Sequence, residues 1–199
     1  MEFFIIKKSF KLASQPFRYN THFISIMFHL ISLAISILAG IPQNNLIHWN
    51  SGRKLSWKDF QAQPDKNSTN AALTNSSINI EFGYSSKGLK YNIKCRFDQN
   101  LSWGRIKNDY ILAHEQGHFD IAEIHARKLN KAMKSYKFDN RTVGKDVNKI
   151  YDTVMKNHHA FQSQYDGETN YSRDAAQQNH WKIKIEQILE ELNEYRDYH

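Results

Sequence analysis

Residues 113–123 read AHEQGHFDIAE, with His114 and His118 four apart and Glu115 directly after the first. On an α-helix, positions four apart share a face, with Cβ atoms about 5–6 Å apart. Two imidazoles so placed can close on one ion. Zinc (Zn2+) suits the pair: it takes imidazole nitrogen at roughly 2.0–2.1 Å, and its catalytic sites keep an open fourth position. Glu115 sits one residue round the helix, within reach of a zinc-bound water and off the metal itself. Such a water ionises near neutral pH, and Glu115 is placed to accept its proton and hand it to a leaving amine. The spacing predicts a zinc-bound water attacking a substrate carbonyl, with Glu115 as general acid and base.

The pentapeptide alone does not decide the matter. In a chain with ten histidines, chance produces it roughly once in fifty chains of this size. Most histidines on an apolar helix face are simply buried and hydrogen-bonded. The competing expectation is a non-catalytic cell-envelope binding or structural module, with a structural metal or none.

A third ligand has to come from elsewhere. His125 lies seven residues past His118, about 10.5 Å further along the helix, and Glu123 points away from the histidine line. A second helix folding back antiparallel would set residues 158–166 opposite the pair. That window and its edge hold His158, His159, Asp166 and Glu168. His158 lies on an apolar stripe and reads as core-facing. Asp166 follows eight residues later on nearly the same face, where an unpaired carboxylate is costly and a metal removes the cost. Asp166 is the preferred third ligand, with His158 the alternative.

The elements that position these residues follow from hydrophobic period. Ile111, His114, His118, Ile121, His125, Leu129 and Met133 trace one face of a long helix starting at Asn108. After the connector KFDNRT, Val143, Val147, Tyr151, Val154, His158 and Phe161 mark a second. NYSRD interrupts the pattern, Ser172 reads as an N-cap, and a third helix carries Trp181, Ile185 and Leu189. Upstream, Ile78–Tyr84 and Leu89–Phe97 alternate apolar and polar residues around the turn-like SSKG, which predicts a β-hairpin. NLIHW and LSWKDFQ read as shorter strands or an extended lead-in. The expected fold is α+β: an N-terminal antiparallel hairpin sheet, residues 43–107, packed on three C-terminal helices, residues 108–199, with a zincin-like helix carrying the motif.

Length and composition are those of one globular domain. The net charge is +7, of which residues 1–42 contribute +3 through Lys7, Lys8, Lys11 and Arg18 against Glu2, leaving +4. The remaining lysines alternate with acids, so no nucleic-acid surface is indicated. Phe23–Gly40 is apolar and uncharged, follows basic residues and ends at Pro42. Residues 1–42 thus read as a signal peptide or signal anchor. The domain at 43–199 is expected to be exported to the periplasm or cell envelope, touching membrane only through that segment. The lone Cys95 rules out an internal disulfide.

Several stretches together resemble a bacterial family of predicted secreted zinc-dependent proteases, catalogued as a domain of unknown function. They are LSWKDFQAQPD, AALT, Ser102-Trp103, LAHEQGHFDIAEIHARKL, YDGETNYS and QNHW, in order across most of residues 50–190. The resemblance implies a metalloprotease acting on a peptide or protein of the envelope. It assigns His114 and His118 as ligands and Glu115 as the acid/base, and it singles out Tyr165-Asp166-x-x-Thr169. Many members of that family carry a histidine two residues after the threonine, where this chain has Tyr171. If that histidine is a ligand, Tyr171 must replace it through its phenol oxygen. A phenol here, Tyr171 or Tyr165, would also steady an oxyanion.

Overall fold

The computed structural model describes residues 6–11 and 45–198. Its fold is α+β, with an antiparallel sheet from the first part of the chain and three helices from the second. The strands are β1 (Ile6–Lys11), β2 (Leu46–His48), β3 (Ala72–Leu73), β4 (Ser76–Ser85), β5 (Gly88–Asp98) and β6 (Trp103–Gly104). The helices are α1 (Asp109–Ser135), α2 (Val143–Glu168) and α3 (Ala175–Glu191).

β4 and β5 form the expected hairpin, paired from Ser76↔Phe97 to Ser85↔Gly88. Because Ser85 and Gly88 already pair, the turn is the two residues Ser86 and Lys87, shorter than the four-residue SSKG reading. Gly88 has φ +122°, a conformation side chains disfavour. The alternation turns Ile78, Ile80, Phe82, Ile93, Cys95 and Phe97 inward, and all are buried. β2 adds to β5 and β1 to β4, giving the order β1-β4-β5-β2. β3 and β6 pair separately beside the first turns of α1.

Two expectations need correction. Leu55–Gln61, read as a short strand or an extended lead-in, forms no strand: Ser56 and Phe60 are extended, but residues 57–59 between them form a 3-10 turn, and Asp59 accepts from both the Ser56 amide and hydroxyl. Nor does Ser172 cap the third helix. Asp174 does, accepting from the Gln177 amide at 3.0 Å, while Ser172 lies in a left-handed turn. The leader expected at residues 1–42 falls outside the described residues except for Ile6–Lys11, which pairs with β4 as an edge strand. No helix among the described residues is long and apolar enough to cross a membrane, and Phe23–Gly40 is not among them.

α1 starts where the sequence places it. Asn108 accepts from the Ile111 amide at 2.8 Å, satisfying one of the free amides of the first turn. Its 27 residues are buried on two sides. Phe119, Ala122, Ala126 and Leu129 join the sheet residues and Val147, Tyr151 and Met155 of α2 in the main core. Ile121 and Ile124 pack with Tyr165, Trp181 and Ile185 in a second. Each Val, Leu, Ile, Phe or Met side chain among them contributes about 1.5–3 kcal/mol on burial. Tyr151 ties α2 to the sheet by donating to the Ile78 carbonyl at 2.8 Å.

A buried polar cluster anchors the C-terminus beneath α1. Arg127 donates to Glu123 at 2.8 Å and to the Leu189 carbonyl at 2.6 Å, and the Tyr198 hydroxyl donates to Glu123. Burial holds the Glu123 carboxyl above its usual range. Arg127→Ala leaves that carboxylate without its cation and should cost about 3–5 kcal/mol in a urea titration. The paired change Glu123→Gln with Arg127→Met should restore most of the loss.

Candidate metal centre

His114 and His118 lie one turn apart on α1, and α2 returns antiparallel across them. The fold-back sets Gln162 opposite His118 and Asp166 opposite His114. His114 Nε2 and His118 Nε2 are 3.2 Å apart, and Asp166 Oδ1 lies 3.3 Å from the first and 3.1 Å from the second. The three donors form a nearly equilateral triangle, and among the described residues these three side chains could hold a metal ion together. A tetrahedral zinc with bonds of about 2.0–2.1 Å needs donors about 3.3 Å apart. The residues fit such an ion, with the fourth position left to solvent or substrate.

The outer ring nitrogens explain why the inner ones face each other. His118 Nδ1 is 2.6 Å from Gln162 Oε1, an acceptor, so that nitrogen carries the proton and Nε2 presents its lone pair. Gln162 is itself fixed, its amide donating to the His118 carbonyl at 2.9 Å and meeting His158 Nε2 at 3.0 Å. On the other side of the pair, His114 Nδ1 and Gln178 Oε1 are both buried without a hydrogen-bond partner, while the Gln178 amide donates to the Tyr110 carbonyl at 2.9 Å. His158, the alternative ligand, is therefore buried one turn away and braces Gln162. His159 and Glu168 also stand apart from the triangle, Glu168 accepting from the Trp181 indole at 2.8 Å.

The electrostatics follow from this packing. Burial pulls His114 down to about 4. Burial acts in the same direction on His118, but the Asp166 carboxylate outweighs it and lifts the group to about 9. Burial opposes ionisation of Asp166, yet the two imidazoles hold it well below the usual carboxylate range. Without an ion, the trio is held by a proton on His118. Glu115 is buried and its pKa raised by desolvation. Its Oε2 has no hydrogen-bond partner, and its backbone carbonyl accepts from the Thr74 hydroxyl at 3.1 Å. A buried acceptor beside the donor triangle is what a general base would present before substrate arrives.

All four residues open into a cavity of about 460 Å3, whose wall includes β3, Ile106, Tyr110, Tyr171 and Arg173. Tyr171 lines the same cavity as the three donors. Asn170, Tyr171 and Ser172 have φ of 49°, 53° and 65°, and each left-handed non-glycine residue costs about 1–3 kcal/mol. The Tyr171 amide donating to the Asp166 carbonyl at 2.8 Å helps hold the turn. Tyr165, the other phenol, is buried. Its hydroxyl donates to the His114 carbonyl at 3.2 Å, and its ring stacks on the His114 ring at 4.5 Å and 16°. That is a brace rather than an oxyanion donor. A separate cavity of about 630 Å3 beside α3 contains none of the donors.

Three contributors were missed in the sequence. Gln162 stands four residues before Asp166, so the spacing that placed one could have flagged the other. Gln178 arrives from α3 and Thr74 from the end of β3; both fall in stretches that carry the family resemblance, QNHW and AALT, but no spacing there ties either residue to the histidines. Gly117 has a steric role: a Cβ there would fall 2.8 Å from Tyr165 Cζ and closer still to its hydroxyl. Gly117→Ala should therefore destabilise the fold by about 1–3 kcal/mol and weaken metal binding by displacing the ring under His114. Gln162→Leu should lower metal affinity about 10–100-fold in competition with a chromogenic chelator, and Gln162→Glu should retain it.

Comparison with known proteins adds a family and nothing finer. No curated protein and no solved structure matches the chain. The sequence pattern of a bacterial family of unknown function matches residues 41–173, a span that holds the histidines, Glu115, Asp166 and Tyr171. With more than half of its length covered, the chain belongs to the family described as bacterial protein of unknown function (DUF922).

Proposed function

We propose that this chain is an exported zinc-dependent metallopeptidase or related amide hydrolase. The observation that carries the reading is the donor triangle of His114, His118 and Asp166, three protein ligands at zinc-compatible spacing in an open cavity with Glu115 beside them. Structural zinc sites close with four protein ligands, and catalytic ones keep three. When bound, zinc polarises a carbonyl and makes water acidic near neutral pH.

The chain's own residues then divide the work. Gln162 fixes the tautomer of His118, and Tyr165 seats the ring of His114. Glu115, with a carboxylate oxygen free of other bonds and a raised pKa, takes the proton of the attacking water and delivers it to the leaving nitrogen. Tyr171, exposed at the cavity mouth, supplies a phenol hydroxyl to the developing oxyanion. The substrate is a peptide or protein of the cell envelope. Export rests on the basic and apolar leader at residues 1–42, and removal of that leader would leave the outer edge of β4 open.

A second reading keeps the same residues without catalysis. His118 holds a proton well and pairs with Asp166, so the trio is stable as an ion pair in a binding or structural module. Metal analysis of the purified chain before and after chelation separates the hydrolase, which should carry close to one zinc, from a metal-free module, and a module with a structural metal is separated by its lack of peptide hydrolysis. Glu115→Gln should abolish peptide hydrolysis, a loss of about 100-fold or more, while metal content stays unchanged. Undiminished turnover in that variant would sink the mechanism.

A further inference from the structure

The rim of the candidate centre points to the kind of substrate it takes, an inference that rests on the hydrolase reading above. Six large hydrophobic side chains are exposed among the described residues, and three of them line this one cavity. They are Ile106 at 52%, Tyr110 at 38% and Tyr171 at 56% exposure. Scattered exposed hydrophobics are ordinary, but a cluster rimmed by polar residues marks a contact surface. The three come from separate elements: the loop after β6, the first turn of α1 and the left-handed turn after α2.

Two features of the rim sharpen the chemistry. Tyr171 is held at the mouth by three successive non-glycine residues with positive φ, and strain of that kind persists where function keeps it. The charged groups around it do not favour a basic ligand. Arg105 is tied to the carbonyls of Asp65, Ser68 and Asn70 at 2.6, 2.6 and 3.2 Å. Asp166 faces the histidines, and Arg173 adds a second cation to the lining. We infer that the substrate presents a bulky apolar side chain, aromatic or branched aliphatic, beside the bond to be cleaved. It is seated against Ile106, Tyr110 and Tyr171.

Labelled peptides of one length, differing only in a central Phe, Leu, Ser or Lys, test this by binding. They are titrated against the full chain carrying Glu115→Gln in zinc-containing buffer, so that turnover does not interfere. The Phe and Leu peptides should bind about tenfold tighter or better, the range expected for burying one such side chain. Ile106→Ser with Tyr110→Ser should erase the difference, Tyr171→Ser should reduce it, and Tyr171→Phe should preserve it, with circular dichroism confirming that each variant folds. Equal binding of all four peptides, or a preference that survives the Ile106 and Tyr110 changes, overturns the inference. Hydrolysis by the native chain is scored apart. Retained preference without cleavage removes the hydrolase reading and leaves only the apolar contact at Ile106, Tyr110 and Tyr171 standing, whereas cleavage without preference keeps the hydrolase reading and overturns the inference.

Discussion

Three lone pairs aimed at one point are the constraint around which the rest of the structure is arranged. Two imidazole nitrogens and a carboxylate oxygen within 3.1–3.3 Å of one another repel unless something positive lies among them. A proton on His118 meets that need in part, and a divalent ion meets it fully. The surroundings allow either, because the outer nitrogen of His118 already donates to Gln162. Burial of the trio makes the requirement stronger, since the charges are poorly screened by water.

Holding that geometry takes more of the protein than the motif itself. α1 is clamped between the sheet and the other two helices, so its two histidines cannot swing apart without disturbing both cores. α2 supplies Asp166 and Gln162 from one face, and the shared origin of these two residues fixes ligand and brace together. α3 closes the arrangement from behind, with Trp181 under Tyr165 at 5.3 Å and Gln178 behind His114. The carboxamide of Gln162 behind His118 carries no charge of its own, where a carboxylate there would make the imidazole a more basic donor. This centre therefore depends on Asp166 for its negative charge.

The polar clusters on the two sides of α1 show how one helix serves two ends. Toward the cavity it presents His114, Glu115 and His118, with one buried oxygen left without a partner. Toward the sheet and C-terminus it presents Glu123, Arg127 and Asn130, each bonded to tail residues or their neighbours. The satisfied cluster stabilises position, and the unsatisfied one retains capacity to bind. A buried acceptor without a donor is a standing cost, tolerable at a site that meets its partner only when loaded.

Local pattern was enough for the hairpin, the start of α1 at Asn108, the three helices and the histidine pair, because each depends on residues a few positions apart whose period is written in the chain. It also located Asp166, since an antiparallel return through a short connector leaves little freedom in which residues face each other. The 3-10 turn at residues 57–59, the Asp174 cap and the left-handed turn at Asn170–Ser172 were not legible, because each is settled by backbone geometry that competing local patterns also allow. Residues acting at a distance were hidden for a different reason. Gln178, Thr74 and the seat that Tyr165 takes against Gly117 have meaning only once helices from separate parts of the chain are packed. The sequence determined which groups could bind an ion. Tertiary structure alone decided that three of them meet at bonding distance, since convergence of lone pairs depends on the packing of α1 against α2 and on neither helix by itself.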